Sequence, residues 1–378
     1  MDTYKKLGVK KVINAAGTLT ALGGSLMEKQ TIRAMDEAGR SFVYMDDLVR
    51  SAGKVIARVT GAEAGLVTSG GAASLAIAAA ACMTGTDPDK ASQLPDTTGL
   101  KSEVIVQKVQ RNKYDRCIRV SGAKLVDAGD ESGTTPEQLE RAFNSQTAAV
   151  VHFVLDPLEG SMQLEKVIAT AHGHGVPVIV DAAAEIPPPE NLRKFILMGA
   201  DLVLISGGKQ LRGPNDSGML FGRKDLIEAA YTNAFPGSQG IGRAMKISKE
   251  QVVGLMVALQ RYVSKNHDAE MREWTKTANR VSKRLNTIPH LKAEVTRATG
   301  RVRPLCIPRV EVRMDEEASG MTIPELVNEL KKGDPIVETL AMTDGHSLQI
   351  NPQCLSKGED IIVVRRMRQI LLRRRPAK

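Results

Sequence analysis

A chain of 378 residues has room for two domains and a large core, and 42% hydrophobic with 25% charged residues is ordinary for a globular protein. No apolar run approaches the roughly 20 residues that span a bilayer, and the opening MDTYKKLGVKKVINAAG lacks the apolar stretch of a secretion signal. The net charge of +9 suits anionic small molecules or nucleic acid, but aromatics make up only 3% and none flanks the late arginines Arg365, Arg366, Arg368, Arg373, Arg374 and Arg375; that cluster reads as a solvated helix end, and nucleic acid is disfavoured.

Taken in order, residues 1–44 have little core of their own: a strand-like piece (12–18), then a helix over 28–38. They read as an N-terminal arm lying on another body, such as a second subunit. Apolar residues at helical spacing predict a helix over 45–60. Short apolar runs at 65–68, 102–107, 124–126, 148–154, 176–180, 202–205 and 219–221 predict strands, with helices between several of them. That alternation predicts an α/β domain over 45–246, its mostly parallel sheet covered by helices. From 247 a long helix leads into a smaller C-terminal α+β domain ending at 378, with strands at 291–295, 305–313 and 347–350 and helices at 323–332 and 360–372. Cys82, Cys117, Cys306 and Cys354 are far apart and form no C-x-x-C pair, so they read as reduced thiols of a cytoplasmic protein. His172 and His174 are two apart and do not share a helix face, so no metal pair is expected there.

Three stretches carry chemistry. After the strand at 65–68 comes SGGAASLAIAAAA, an Ala-rich helix opened by the smallest residues. Strand, small-residue turn and buried helix is an arrangement that holds a phosphate. The first-turn amides are unpaired, and Ser69, Gly70, Gly71 and Ala72 let an anion approach the backbone. Neither a Walker loop nor a G-x-G-x-x-G is present. Next, Asp181 ends the apolar strand VPVIV and is followed by three alanines; a carboxylate there needs a cation or strong donor. Last, Lys209 follows Ser206, Gly207 and Gly208 between two apolar strands, a place for an amine that forms a Schiff base in a pocket. Taken together the three fit pyridoxal 5′-phosphate (PLP): a cup for its phosphate, Asp181 to keep its ring nitrogen protonated, and Lys209 to hold its aldehyde carbon and move the substrate proton, with Ser206 beside it among the cofactor-binding residues. Arg111, Tyr114, Arg212, Arg243 and Lys246 are candidate substrate anchors, since they lie just past strands or in glycine-rich loops and guanidinium matches carboxylate and phosphate.

The order of these motifs resembles the fold-type-I PLP enzymes, and within them the selenocysteine-synthase-like (SelA-like) branch and its D-glucosaminate-6-phosphate ammonia-lyase group. The resemblance covers nearly the whole chain. It rests on INAAGT (13–18), MDDL (45–48), TGAEAGLVTSGGAASL (60–75), PDTTG (95–99), YDRCIR (114–119), PVIVDAAAEIPPPENL (177–192), SGGKQLRGPNDSG (206–218), GIGRAMK (240–246) and GDP (333–335). It implies a PLP-dependent lyase that removes water and ammonia from a small polar hydroxyamino acid, such as an amino sugar acid or its phosphate, leaving a 2-keto acid. It also implies at least a homodimer. Two departures stand out: the branch commonly has Gly-His-Arg before its tyrosine, where this chain has Val109, Gln110 and Arg111, and its Gly-Pro-Gln is here Gly213, Pro214 and Asn215. The same chemistry supports a racemase or an aldolase. Outside enzymes, the alternative is a basic RNA-associated protein that keeps the fold.

Overall fold

The computed structural model describes residues 3–155, 157–297 and 303–373, the last without its side chain; Arg374 and Arg375 lie outside the described residues. The chain divides into two compact units. The larger holds residues 27–265 and Arg303; the smaller holds 3–26, 266–297 and 304–373. The helix Lys249–Ser264, expected with the C-terminal domain, therefore lies in the larger unit, and most of the expected arm lies in the smaller unit of its own chain.

Strand β1 (Val12–Asn14) belongs to the smaller unit. The larger unit is built on seven strands: β2 (Ala64–Thr68), β3 (Glu103–Gln107), β4 (Lys124–Ala128), β5 (Thr147–Phe153), β6 (Val178–Asp181), β7 (Leu202–Ser206) and β8 (Gly218–Gly222). Their spatial order is β2-β8-β7-β6-β5-β3-β4. All run parallel except β8, which is antiparallel to both neighbours. The β-branched and apolar runs that make most of these strands are buried, β5 along its whole length, whereas the edge strand β4 buries only Ala128. The helix Gly71–Thr84 is buried on nearly every side against β5–β8, a closeness that its alanines permit. Helix Lys249–Ser264 opens with a capping box, Ser248 with Gln251, and packs on helices Lys29–Gly39 and Met45–Thr60.

The smaller unit carries β9 (Leu291–Arg297), β10 (Pro308–Met314), β11 (Ile336–Glu338), β12 (Leu340–Ala341) and β13 (Ser347–Ile350). β12-β13-β10-β9 form an antiparallel sheet, and β11 pairs in parallel with β1. Helices His267–Leu285, Ile323–Lys332 and Glu359–Arg373 supply Ala278, Leu326, Val363 and Met367 to its core.

Candidate active site

One row of the sheet sets the site. Thr68 is paired with Gly218, and Gly218 with Ser206, so the ends of β2 and β7 and the start of β8 lie side by side. Beyond Thr68 the chain turns through Gly70, whose φ of 107° favours glycine, into helix Gly71–Thr84. The turn is locked from below: the Thr68 and Ser74 hydroxyls are 2.7 Å apart, and the Ser74 amide donates to the Gly70 carbonyl at 3.0 Å. The first-turn amides after Gly70 have no partner within the helix. Ala72 is exposed, Gly71 half-buried. The Ser69 hydroxyl donates to the Met245 carbonyl at 2.9 Å, which fastens the loop of Arg243 and Lys246 beside the cup. Both cations are exposed and have no partner among the described residues.

Asp181 ends β6 beside β7, paired with Leu204. One of its oxygens accepts from the Ala183 amide at 2.9 Å; the other has no partner among the described residues. Burial pushes this carboxyl up to about 6, against which the Ala183 amide and the Lys209 charge act. Ala183 faces the cup: a Cβ on Gly71 would stand 3.4 Å from the Ala183 methyl. The Lys209 amine is half-buried and its pKa lies below that of an ordinary lysine, chiefly through burial; Asp181 and Glu185 oppose that shift and Lys113 adds to it. The structure thus brings together Ser69, Gly70, Gly71, Ala72, Asp181, Ser206 and Lys209.

The other sequence-derived anchors differ from Arg243 and Lys246. The Arg111 guanidinium is held by Asp115 at 2.5 Å and by Asp127. Arg212, in a left-handed conformation (φ 56°), is held by Glu28 at 2.9 Å. Tyr114 is exposed, with the Lys113 ammonium 5.3 Å from its ring centre. Sequence reasoning missed Lys113, Glu185 and Arg303; the last two form a nearly buried ion pair. It also missed what Gln110 does. Its side chain is fully buried, accepts from the Phe153 amide at 3.0 Å and donates to the Ser161 hydroxyl at 2.9 Å, beside His152. His152 and Asp181 leave opposite faces of the sheet, because Phe153 rather than His152 pairs with Asp181. Gln110 is therefore a framework residue here. His172 and His174 diverge, one to Asp201 and the other to Glu140. A separate hollow of about 390 Å³, lined by Thr97, Lys101 and Lys124 among others, opens where β3 and β4 begin, at the opposite end of those strands from the Lys209 side of the sheet.

A seven-stranded sheet with one reversed strand, a helix-end cup, a desolvated lysine and a carboxylate at the neighbouring strand end define a fold-type-I PLP enzyme fold. The chain belongs to the SelA family: residues 113–303 match the profile of L-seryl-tRNA selenium transferase. It is 33% identical to a D-glucosaminate-6-phosphate ammonia lyase of Salmonella typhimurium, over 98% of each chain. It is equally, 33%, identical to a 5′-C-glycyluridine monooxygenase-decarboxylase of a Streptomyces species, over 98% of this chain and 92% of that one. Among solved structures, a D-glucosaminate-6-phosphate ammonia-lyase matches with a TM-score of 0.86 and 31% identity over 99% of both chains. SPT with PLP matches at 0.59 and 15% identity, over 96% of this chain and 87% of the other, a likeness of fold.

Proposed function

We propose that this protein is a PLP-dependent lyase acting on a small, anionic hydroxyamino acid, an amino sugar acid or its phosphate. Water leaves in the elimination and is regained when the enamine hydrolyses, so the net products are a 2-keto acid and ammonia. The observation that carries the reading is the Lys209 amine, desolvated beside the half-buried Asp181 at the mouth of a helix-end cup. The donor set fits PLP. Gly71, Ala72 and Ser69 would hold its phosphate, Asp181 its ring nitrogen and Lys209 its aldehyde carbon. When bound, PLP supplies an electron sink for charge at the substrate α-carbon.

The protein's own groups do the rest. Lys209 Nζ, neutral at a lower pH than an ordinary lysine, takes the α-proton and delivers a proton to the departing β-hydroxyl. The Asp181 oxygen that has no partner among the described residues would hold the proton on the ring nitrogen, and in doing so stay ionised. Arg243 and Lys246, exposed beside the cup, neutralise a substrate phosphate or carboxylate. The basic balance of the chain favours such a substrate. Cytoplasmic placement and assembly as a homo-oligomer complete the reading. The assembly is supported by the exposed Ile32, Phe42, Val43 and Tyr44 on and after helix Lys29–Gly39.

The test is spectroscopic and then chemical. The purified protein with added PLP is expected to show a band near ~420 nm that borohydride abolishes, the signature of a lysine Schiff base. Lys209→Ala is expected to lack it. A panel of hydroxyamino acids and amino sugar acid phosphates is then assayed for ammonia with oxygen uptake followed in parallel. Ammonia without oxygen consumption supports the lyase; oxygen uptake with carbon dioxide release would replace it with the chemistry named for the Streptomyces relative.

A further inference from the structure

Among the described residues, Arg212 and His290 are the two non-glycine residues with a left-handed backbone; every other positive φ there belongs to a glycine. An arginine is costly in that conformation, because its Cβ crowds the following carbonyl. The turn that Arg212 closes is the one that carries Lys209. The Arg212 amide donates to the Lys209 carbonyl at 3.0 Å and the Gly213 amide to the Gly207 carbonyl at 2.9 Å, while the Gly207 amide donates to the Ser217 carbonyl at 2.8 Å. A Cβ on Gly208 would stand 2.5 Å from Asn215 Cα, and one on Gly213 3.4 Å from the Ala258 methyl of helix Lys249–Ser264. The backbone on both sides of Lys209 is thus closed on itself and laid on a helix.

The Arg212 side chain ties this turn to a second helix. Its Nη1 donates to Glu28 Oε1 at 2.9 Å, and Glu28 Oε2 lies 3.8 Å from Arg261 Nη2. Glu28 is the N-cap residue of helix Lys29–Gly39, yet its carboxylate does not cap that helix. The Arg212 and Glu28 side chains are 26% and 35% exposed, so the pair stabilises the fold only weakly. A strained residue and a weak ion pair add little to stability, which leaves geometry as what they supply.

We infer that Arg212 and Glu28 are positioning residues: their ion pair holds the turn in its left-handed closure, and the turn aims the Lys209 amine. This rests on the reading of Lys209 as the lysine that holds PLP. The effect passes through Lys209, since an amine held in place meets the aldehyde carbon at high effective concentration and one on a loose turn does not.

The experiment is a double-mutant cycle on PLP affinity, read by equilibrium dialysis. Arg212→Gly suits φ 56° and removes the ion pair. It is expected to fold and to bind PLP about tenfold more weakly than the unaltered protein. Placed on Lys209→Ala, the same substitution is expected to change PLP affinity less than about twofold, because the amine it positions is gone. A loss as large in the Lys209→Ala background overturns the inference, since Arg212 then serves the pocket without Lys209; so does no loss in either background. Glu28→Gln leaves the turn's own residues untouched and is expected to show the same pattern with a loss of about threefold. It decides the matter if Arg212→Gly fails to fold. Acetic anhydride labelling of the cofactor-free protein, mapped by mass spectrometry, separates this from the wider reading. Lys209 is expected to label about threefold faster, relative to the other lysines, in Arg212→Gly, as its amine leaves a fixed and half-buried place. With the ~420 nm band present and the cycle flat, the positioning assignment falls alone. With the band absent from the unaltered protein, the PLP reading falls; faster labelling then leaves the positioning of Lys209 standing, and unchanged labelling overturns it.

Discussion

Asp181 is a group whose function works against folding. Its carboxyl titrates at about 6 in the folded chain against an ordinary 3.8. Between those values the folded state keeps a proton that the unfolded state has released. Stability of the cofactor-free protein therefore falls as pH rises through that window and stays lowered above it. The gap corresponds to ~3 kcal/mol at neutral pH. Asp181→Asn is expected to recover most of this above pH ~7 and nothing near pH ~4 in urea unfolding of the cofactor-free protein; an equal effect at both would show that the carboxyl is not desolvated. The same variant is expected to bind PLP more weakly, since an amide cannot hold the ring nitrogen's charge. Asp181 and Lys209 were legible in the sequence because each is a charge set at the end of an apolar run, which is a costly place without a purpose. Glu185 and Arg303 were not. Neither ends an apolar strand run, and what makes them unusual is a partner 118 positions away.

The turn after β2 depends on its neighbour strand as much as on itself. A Cβ placed on Gly218 would stand 2.7 Å from the Gly70 carbonyl carbon and 2.9 Å from Thr68 Oγ1. Gly218→Ala must therefore push the cup away from β8. The expected outcome is a loss of ~1–3 kcal/mol in thermal or urea unfolding, with PLP affinity reduced more than the change in stability alone would produce. A fully retained affinity would show that the cup adapts. Most strands and helices were legible from apolar run length and periodicity, and helices Met45–Thr60 and Ile323–Lys332 begin and end where the pattern does. The reversal of β8 was not, because an apolar run three residues long, Met219 to Phe221, carries no direction. Neither was the β1–β11 pairing: Ile336–Glu338 is three residues, too short for any period to show.

At the scale of the molecule, the apolar side chains left in water ask for a partner. Phe42 is fully exposed, with Val43 and Tyr44 beside it. The proposed homo-oligomer would supply that partner as a second copy of the chain, and Phe42→Asp is then expected to shift sedimentation toward a monomer with the fold retained. An unchanged sedimentation coefficient would place the contact elsewhere.

The reversed strand also orders events in time. Among the described residues β2, which carries the cup, is hydrogen-bonded in the sheet only to β8. On a ribosome, the early strand Ala64–Thr68 has no ladder partner until Gly218–Gly222 has emerged, and β8 must slide between it and β7. That insertion is a long-range closure, the slow kind. A nascent chain that stops short of β8 holds Asp181 and Lys209 but leaves β2 unpaired and its cup unbraced, so cofactor capture would mark the moment the sheet closes.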